Sequence, residues 1–265
     1  MKVELLNIPK DELLESLKAI KKKGWVHTGR SKNDGAVGNT LEDLLDIPEN
    51  NLAIANTVDW ELKAQRKNTS SLITLFHIDP NPRKPKSVVA QIILPNYGWA
   101  HKEAGIKYPK NEMSFRATLN GLTYTDRGIK LNVESVKRTV EIVFNPSRTD
   151  IRHKDWLKVV SDYHGKDEKV IASWNFDDLQ KKCVGKIRNA IYVIADSRIT
   201  NGQEEFKYEK IELLEDFAFN NLLRGLINGD IFVDFDARTG HNHGTKFRIK
   251  QNNWHVLFSK ITEVK

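Results

Sequence analysis

Glu61 and Lys63 are the residues of this chain whose types and spacing are best suited to chemistry. Residues 58–65 alternate between apolar and polar side chains, the pattern of a strand with one buried face. On such a strand Glu61 and Lys63 project from one face, while Leu62 points into the core. The carboxylate can bind Mg²⁺, and the ammonium group can orient water or offset charge in a transition state. The pair therefore predicts metal-assisted hydrolysis of a phosphodiester.

The spacing of this pair is a weak signal when it is taken alone. An acidic residue followed by any residue and Lys also occurs at residues 167–169 and 205–207, and such a pair is usually a solvated surface ion pair. The context of Glu61 is more specific. A Gly-rich stretch at residues 27–38, a short helix that carries Glu42 and a turn at residues 48–51 lead into the predicted strand.

Four segments around this pair together resemble the catalytic region of the MvaI/BcnI restriction endonucleases, and more distantly the MutH mismatch-repair nickase. They are residues 35–45 (GAVGNTLEDLL), 48–51 (PENN), 59–66 (DWELKAQR) and 69–76 (TSSLITLF). The resemblance continues more weakly through residues 190–196 and 235–248.

The resemblance implies a mixed α/β (α+β) fold with a PD-(D/E)xK nuclease core, in which helices flank a central mixed sheet and two lobes clamp duplex DNA. It also implies one or two Mg²⁺ ions and a monomer that cuts one DNA strand at a time. A MutH-like repair nickase and a catalytically silent DNA-binding protein are the alternatives. We expect residues 1–150 to form the catalytic lobe and residues 151–265 a DNA-recognition lobe that shares the sheet.

Carried over to this chain, the family's helix acid is Glu42 and its strand pair is Glu61 and Lys63. The family also implies an Asp five residues before the Glu, and Asn56 stands there instead. Asn is nearly isosteric with Asp but neutral, so it weakens Mg²⁺ binding. The expected metal ligands are then Glu61, Asn56 and Asp59, which shares the face of Glu61.

Asn56 leaves three interpretations open. The chain is an inactivated variant, because Asp to Asn is the usual minimal change for trapping intact substrate. Alternatively, it is a natural protein in which Asp59 takes over as the ligand, or it has lost catalysis and only binds DNA.

DNA recognition requires hydrogen-bonding groups that reach base edges and phosphates. The best candidates lie in a loop with two glycines near the C-terminus, although a flexible surface turn has a similar composition. They are Arg238, His241, Asn242, His243, Lys246 and Arg248. Further candidates for contacts with DNA are His77, Arg30, Lys32, Arg66, Arg83 and Lys84.

Composition agrees with a nucleic-acid partner without requiring one. The net charge is +7, and basic side chains gain affinity for polyanions by releasing counterions. The single cysteine excludes an intramolecular disulfide and a thiolate metal cage. We see no signal peptide or membrane span, so we expect a soluble protein of the prokaryotic cytoplasm.

The elements that must position these residues follow from periodicity and turn signals. We expect a hairpin at residues 126–128, between two of the strands. Helices are predicted at residues 10–23, from Asn39 or Thr40 to 45, at 176–188 and at 215–227. Strands are predicted at residues 58–65, 71–76, 115–125, 128–135, 138–144, 190–196, 231–235 and 247–258.

Overall fold

The computed structural model describes residues 9–30, 35–47, 60–67, 69–82 and 87–265. The chain divides into two compact units. The first unit comprises Met1–Ile73, Cys183–Ala218 and Lys250–Lys265, and the second comprises Thr74–Lys182 and Phe219–Ile249. This division does not follow a single cut after residue 150, because strands from both halves of the chain build the sheet of the first unit.

Helices and strands are mixed along the whole described chain. The α-helices are α1 (Lys10–Lys23), α2 (Ala36–Leu44), α3 (Leu94–Tyr97), α4 (Lys154–His164), α5 (Phe176–Ile187) and α6 (Phe219–Ile227). A π-helix spans Val89–Ile93, and 3-10 helices span Ile151–His153 and Gln251–Leu257. The strands are β1 (Trp25–His27), β2 (Glu61–Arg66), β3 (Leu72–His77), β4 (Trp99–Ala100), β5 (Met113–Leu119), β6 (Arg127–Glu134), β7 (Thr139–Thr149), β8 (Lys169–Asn175), β9 (Ala190–Thr200), β10 (Gln203–Phe217), β11 (Ile231–Arg238), β12 (His241–Asn242), β13 (Lys246–Lys250) and β14 (Phe258–Glu263).

The first unit is built on a mixed sheet with the strand order β1-β10-β9-β2, to which β14 adds by pairing with β10. The β2–β9 pair is parallel, and the other pairs are antiparallel. A parallel pair needs a long crossover, and here the whole stretch between β2 and β9 supplies it. The expected mixed α/β fold with a central mixed sheet is confirmed.

One face of this sheet is covered by α1 and α2. Leu13, Leu17 and Ile20 recur at helical spacing along α1 and are buried against the strands. Leu41 of α2 lies in the same core as Leu62 of β2. Leu62 therefore points into this core, as predicted, and Glu61 and Lys63 project from the opposite face.

The second unit contains two further sheets. One sheet has the order β3-β13-β11-β5-β4, with the short β12 paired to β11, and the other has the order β6-β7-β8. Alternate residues of β11 are buried, so that Val233 and Phe235 face the core while Asp234 and Asp236 stay half-exposed. The half-exposed face of β11 and β13 consequently carries charged side chains.

Four local predictions were wrong in ways that the structure explains. The strand predicted at residues 247–258 is interrupted, because residues 251–257 form a 3-10 helix between β13 and β14. Residues 126–128 do not join a hairpin, because β5 and β6 belong to different sheets and Gly128, with φ +68°, lies at an irregular point of the β6–β7 pair. Residues 215–217 continue β10, where they pair with β14, and the helix begins only at Phe219. The helix α2 begins at Ala36, so Asn39 and Thr40 lie inside it.

No helix among the described residues is both long and apolar enough to cross a membrane.

Candidate active site

β2 sets the position of the predicted catalytic pair. It runs parallel to β9 with Glu61 opposite Ala190 and Lys63 opposite Tyr192. The backbone N–H of Glu61 donates to the carbonyl of Asn189 at 3.0 Å, which fixes the start of the strand. Glu61 and Lys63 are therefore held by sheet hydrogen bonds rather than by a loop.

The Glu61 carboxylate is buried, with only 1% of the residue exposed. Its Oε1 accepts a hydrogen bond from Lys63 Nζ. Lys186 Nζ, from the last turn of α5, lies 3.0 Å from Oε2. The sequence predicted one buried face for β2, but Glu61 and Gln65 are buried as well, so both faces of the strand are covered.

Two lysines thus flank one buried carboxylate, and this combination is what makes the burial of Glu61 tolerable. An ionised carboxylate costs several kcal/mol to remove from water unless it is paired and hydrogen-bonded. Lys63 is 25% exposed and Lys186 16% exposed, so both ammonium groups are largely covered. The cluster of one carboxylate and two ammonium groups carries a net positive charge, which suits a phosphate.

A row of polar side chains continues from Lys63 across the same face of the sheet. Tyr192 lies opposite Lys63 on β9, and Glu212 lies opposite Tyr192 on β10. Burial raises the pKa of Tyr192 to about 12, so its hydroxyl stays protonated and can donate. Glu212 accepts hydrogen bonds from Lys210 Nζ at 2.5 Å and His255 Nε2 at 2.7 Å. The predicted pair therefore continues into a polar layer on this face of the sheet.

The Glu61 side chain fits a magnesium ligand. Mg²⁺ takes one or two carboxylates together with waters and a substrate oxygen. Glu61 Oε2 is buried and accepts no hydrogen bond from the described residues, although Lys186 lies within ion-pair distance of it. Among the described ranges no cluster of three or more His, Cys, Asp or Glu side chains could hold a metal.

Several predicted site residues fall outside the described part of the chain. They are Asn56, Asp59, Lys32, Arg83 and Lys84. Glu42, the predicted helix acid, lies half-buried on α2, the helix that covers the face of Leu62. Its part in catalysis stays a prediction.

The predicted DNA-reading loop is a tight turn in the second unit. Arg238 pairs with His241 and Ala237 with Asn242, so β11 and β12 form a hairpin around Gly240, whose φ of +72° a side chain would strain. The Nε2 atoms of His241 and His243 lie 3.1 Å apart. A contact between two ring nitrogens needs one donor and one acceptor.

The arginines of this region are held by carboxylates. Arg238 donates to the buried Glu112 at 3.0 Å and stacks over the Tyr108 ring at 4.7 Å. Arg248 donates to Asp234 at 2.7 Å. Lys246 lies half-buried on β13, in register with Asp234. The side chains of Arg238 and Arg248 are thus held in place by carboxylates of the protein itself.

The remaining predicted DNA contacts have different surroundings. In the first unit, Arg66 makes two hydrogen bonds to Glu204, at 2.9 and 3.0 Å, and covers the Phe206 ring. Arg30 makes two hydrogen bonds to Asp43, at 2.8 and 2.6 Å, and these bonds lower the pKa of the Asp43 carboxyl. His77 is exposed at the end of β3. Contacts of these residues with DNA stay predictions.

The sequence matches the family model of the MvaI/BcnI restriction endonuclease family over residues 14–258. The chain belongs to this family. The matched region covers nearly the whole chain and includes residues of both units. The resemblance inferred from residues 35–76 is confirmed, and the protein is a restriction endonuclease by family.

Solved structures show the same fold. A structure described as a restriction endonuclease MvaI–cognate DNA substrate complex is 24% identical, with a TM-score of 0.76, and covers 99% of both chains. A structure of restriction endonuclease MvaI in the absence of DNA is also 24% identical, with a TM-score of 0.53, covering 96% of this chain and 98% of that one. The comparison with curated proteins finds no significant match.

Within this restriction endonuclease two residues escaped the sequence analysis. Lys186 could not be found, because nothing local links the end of α5 with β2, some 120 residues earlier. Asp79 accepts hydrogen bonds from the backbone N–H and the hydroxyl of Thr245, at 3.0 and 2.7 Å. It therefore fixes the backbone just after the β11–β12 hairpin. Its position before Pro80 is typical of a turn, which was the available signal.

Proposed function

We propose that this chain is a type II restriction endonuclease that hydrolyses phosphodiesters of duplex DNA with Mg²⁺. We further propose that it acts as a monomer on one strand at a time, and that Asn56 makes this particular chain an inactivated variant. One observation carries the proposal: in a restriction endonuclease family member, the buried Glu61 has an oxygen that accepts no hydrogen bond from the described residues and lies beside Lys63 and Lys186.

The residues of the chain have separable roles in this reaction. Glu61 would hold the metal through Oε2, with Asn56 and Asp59 as further candidate ligands. Bound Mg²⁺ would supply an activated water and neutralise charge on the scissile phosphate. Lys63, fixed by its bond to Glu61 Oε1, lies on the same strand face and can hold the attacking water or stabilise the negative charge that develops on the phosphate.

Recognition is assigned to the hairpin of the second unit. Arg238, His241, Asn242 and His243 offer the donors and acceptors that read base edges in a groove. The pairing of Arg238 with Glu112 and Tyr108 supports this role, since a guanidinium group that is already oriented loses less entropy when it binds a base.

The argument for an inactive chain is chemical. Mg²⁺ binds anionic oxygens strongly, and replacing Asp by Asn removes a charge while it keeps the shape. A chain of this kind should bind its DNA site and cut it slowly or not at all. Restoring the carboxylate should restore cleavage.

The deciding experiment compares this chain with its Asn56→Asp variant on a mixed-sequence plasmid, with and without Mg²⁺. We expect discrete fragments from the Asp variant only, with nicked circles preceding linear DNA. Cleavage by the unaltered chain would contradict inactivation and would mean that Asp59 or Glu42 substitutes as the ligand. If neither chain cuts but both bind duplex DNA, the protein is the catalytically silent DNA-binding alternative. A nicked product that never becomes linear favours the repair-nickase alternative.

A further inference from the structure

Lys186 lies on α5, whereas Glu61 lies on β2, and the lysine side chain that contacts Glu61 is largely covered. It lies in the last turn of α5, its Nζ is 3.0 Å from Glu61 Oε2, and only 16% of its side chain is exposed. Lysines near the end of a helix are favoured by the helix dipole, but the dipole does not require burial. Contact with one specific buried oxygen therefore needs another explanation.

The two lysines of the cluster are not equivalent. Lys63 donates to Oε1 and belongs to β2 itself, so strand geometry keeps it beside Glu61. Lys186 faces Oε2, the oxygen that accepts no hydrogen bond from the described residues. That oxygen is the one through which Glu61 would hold a divalent cation.

We propose that Lys186 is a positioning residue of the active centre that occupies Glu61 Oε2 in the metal-free protein and gives it up when a divalent cation binds. This inference rests on the proposed function. Lys186 keeps the buried carboxylate compensated while the metal is absent, since an isolated buried carboxylate is costly. It also sets the metal affinity, because its ammonium group competes for the oxygen and repels a second cation.

The test measures metal binding instead of cleavage. The full chain carrying Asn56→Asp is titrated with Mn²⁺ in the absence of DNA, and the free ion is followed by electron paramagnetic resonance. We expect Lys186→Met to tighten Mn²⁺ binding by about tenfold, because the competing ammonium group is gone. Lys186→Arg, which keeps the charge, should stay within about twofold of its parent.

A matched control is available on the same helix. Lys181 is exposed on α5, and Lys181→Met should leave Mn²⁺ binding unchanged. Lys186→Gln keeps polarity at the site and replaces the Met variant if circular dichroism shows that variant to be unfolded. Melting in EDTA should show Lys186→Met and Lys186→Gln, which lose the charge, to be less stable than their parent, and the addition of Mn²⁺ should reverse the difference.

The outcomes separate this inference from the proposed function. Unchanged or weaker Mn²⁺ binding after Lys186→Met, in a chain whose Asn56→Asp parent binds the ion, overturns the role of Lys186 alone. If neither the parent nor its Lys186 variants bind Mn²⁺, the inference and the metal-dependent proposal both fail. Tighter binding only in the variants that lose the charge supports the inference, even if cleavage is affected by other causes.

Discussion

The Glu61 cluster of the first unit and the 238–248 hairpin region of the second unit both contain ion pairs, but these pairs have different physical effects. In the Glu61 cluster, a fully buried carboxylate is compensated by two lysines. In the hairpin region, half-exposed arginines are held by carboxylates, as Arg248 is by the half-exposed Asp234. In the Glu61 cluster the lysines compensate a buried glutamate, whereas in the hairpin region the carboxylates hold an arginine side chain in place.

The difference shows what each region requires. A buried ion cluster loses much stability when one partner is removed, because the remaining charges stay without compensation. A half-exposed pair is screened by water and contributes little to stability, so its value is the orientation of a side chain. Substitutions in the Glu61 cluster should therefore affect folding and chemistry together, whereas those in the hairpin region should affect recognition with little loss of stability.

The largest effect should come from Glu61→Gln. In the Asn56→Asp chain, we expect cleavage to fall by more than about a hundredfold, since the loss of a charged metal ligand costs several kcal/mol. The free energy of unfolding in EDTA should also fall, by about 3 kcal/mol, because two covered ammonium groups lose their shared anion. Plasmid cleavage and urea denaturation measure the two effects.

Glu12→Gln is the matched control, because Glu12 is exposed on α1. It should change neither quantity measurably. Unimpaired stability of Glu61→Gln would mean that the two lysines do not depend on Glu61, which would contradict the contrast between the two regions.

A smaller effect is expected from Asp79→Ala, which removes the support of the hairpin. Thr245 is buried, and its N–H and hydroxyl would lose the acceptor that holds them. We expect a loss of about 2 kcal/mol in the free energy of binding a duplex with the cleavage site, because the base-reading side chains lose their fixed backbone. Binding is measured by fluorescence anisotropy with Ca²⁺ or without metal.

Asp167→Ala, at an exposed bend, is the control for the loss of a carboxylate from the second unit. Mn²⁺ binding at the Glu61 cluster should be the same in both variants. Unchanged DNA affinity in a folded Asp79→Ala protein would show that the hairpin region does not read DNA.

Short-range patterns predicted the part of the fold that depends on neighbours in sequence. The spacing of Leu13, Leu17 and Ile20 predicted α1 with its observed bounds, and the alternation around Leu62 predicted β2 and the common face of Glu61 and Lys63. These patterns are set by helix and strand geometry, which each segment carries by itself.

Long-range pairing accounts for what the sequence did not predict. Residues 215–217 have helical periodicity, but hydrogen bonds to β14 keep them in β10, and strand pairing between distant segments overrides local propensity. The burial of Glu61 and its approach by Lys186 likewise depend on where α5 lies in the folded chain. The common strand face of Glu61 and Lys63 was therefore predictable from the sequence, and the approach of Lys186 was not.

The smallest effect is expected at Glu212, a second buried carboxylate on the sheet face of Glu61 that is held by a lysine and a histidine. Burial alone would raise the pKa of Glu212, but hydrogen bonds from Lys210 and His255 outweigh it and lower the pKa below its usual value. A lowered folded-state pKa stabilises the protein above the unfolded-state value, about 4.3 for Glu, and this stability is lost as the pH falls through the folded-state pKa. Glu212→Gln should therefore lower the free energy of unfolding by about 1 kcal/mol at pH 7, and this difference should shrink as the pH falls from about 4.3 through the folded-state pKa.

Urea denaturation of both chains across this pH range measures the effect of Glu212. Glu263, an exposed carboxylate 3.7 Å from the same Lys210, supplies the control, and Glu263→Gln should cost less than about 0.5 kcal/mol at any pH. A difference for Glu212→Gln that grows toward acid pH would reverse the sign of the argument. The hydrogen bonds to Glu212 would then not compensate for its burial.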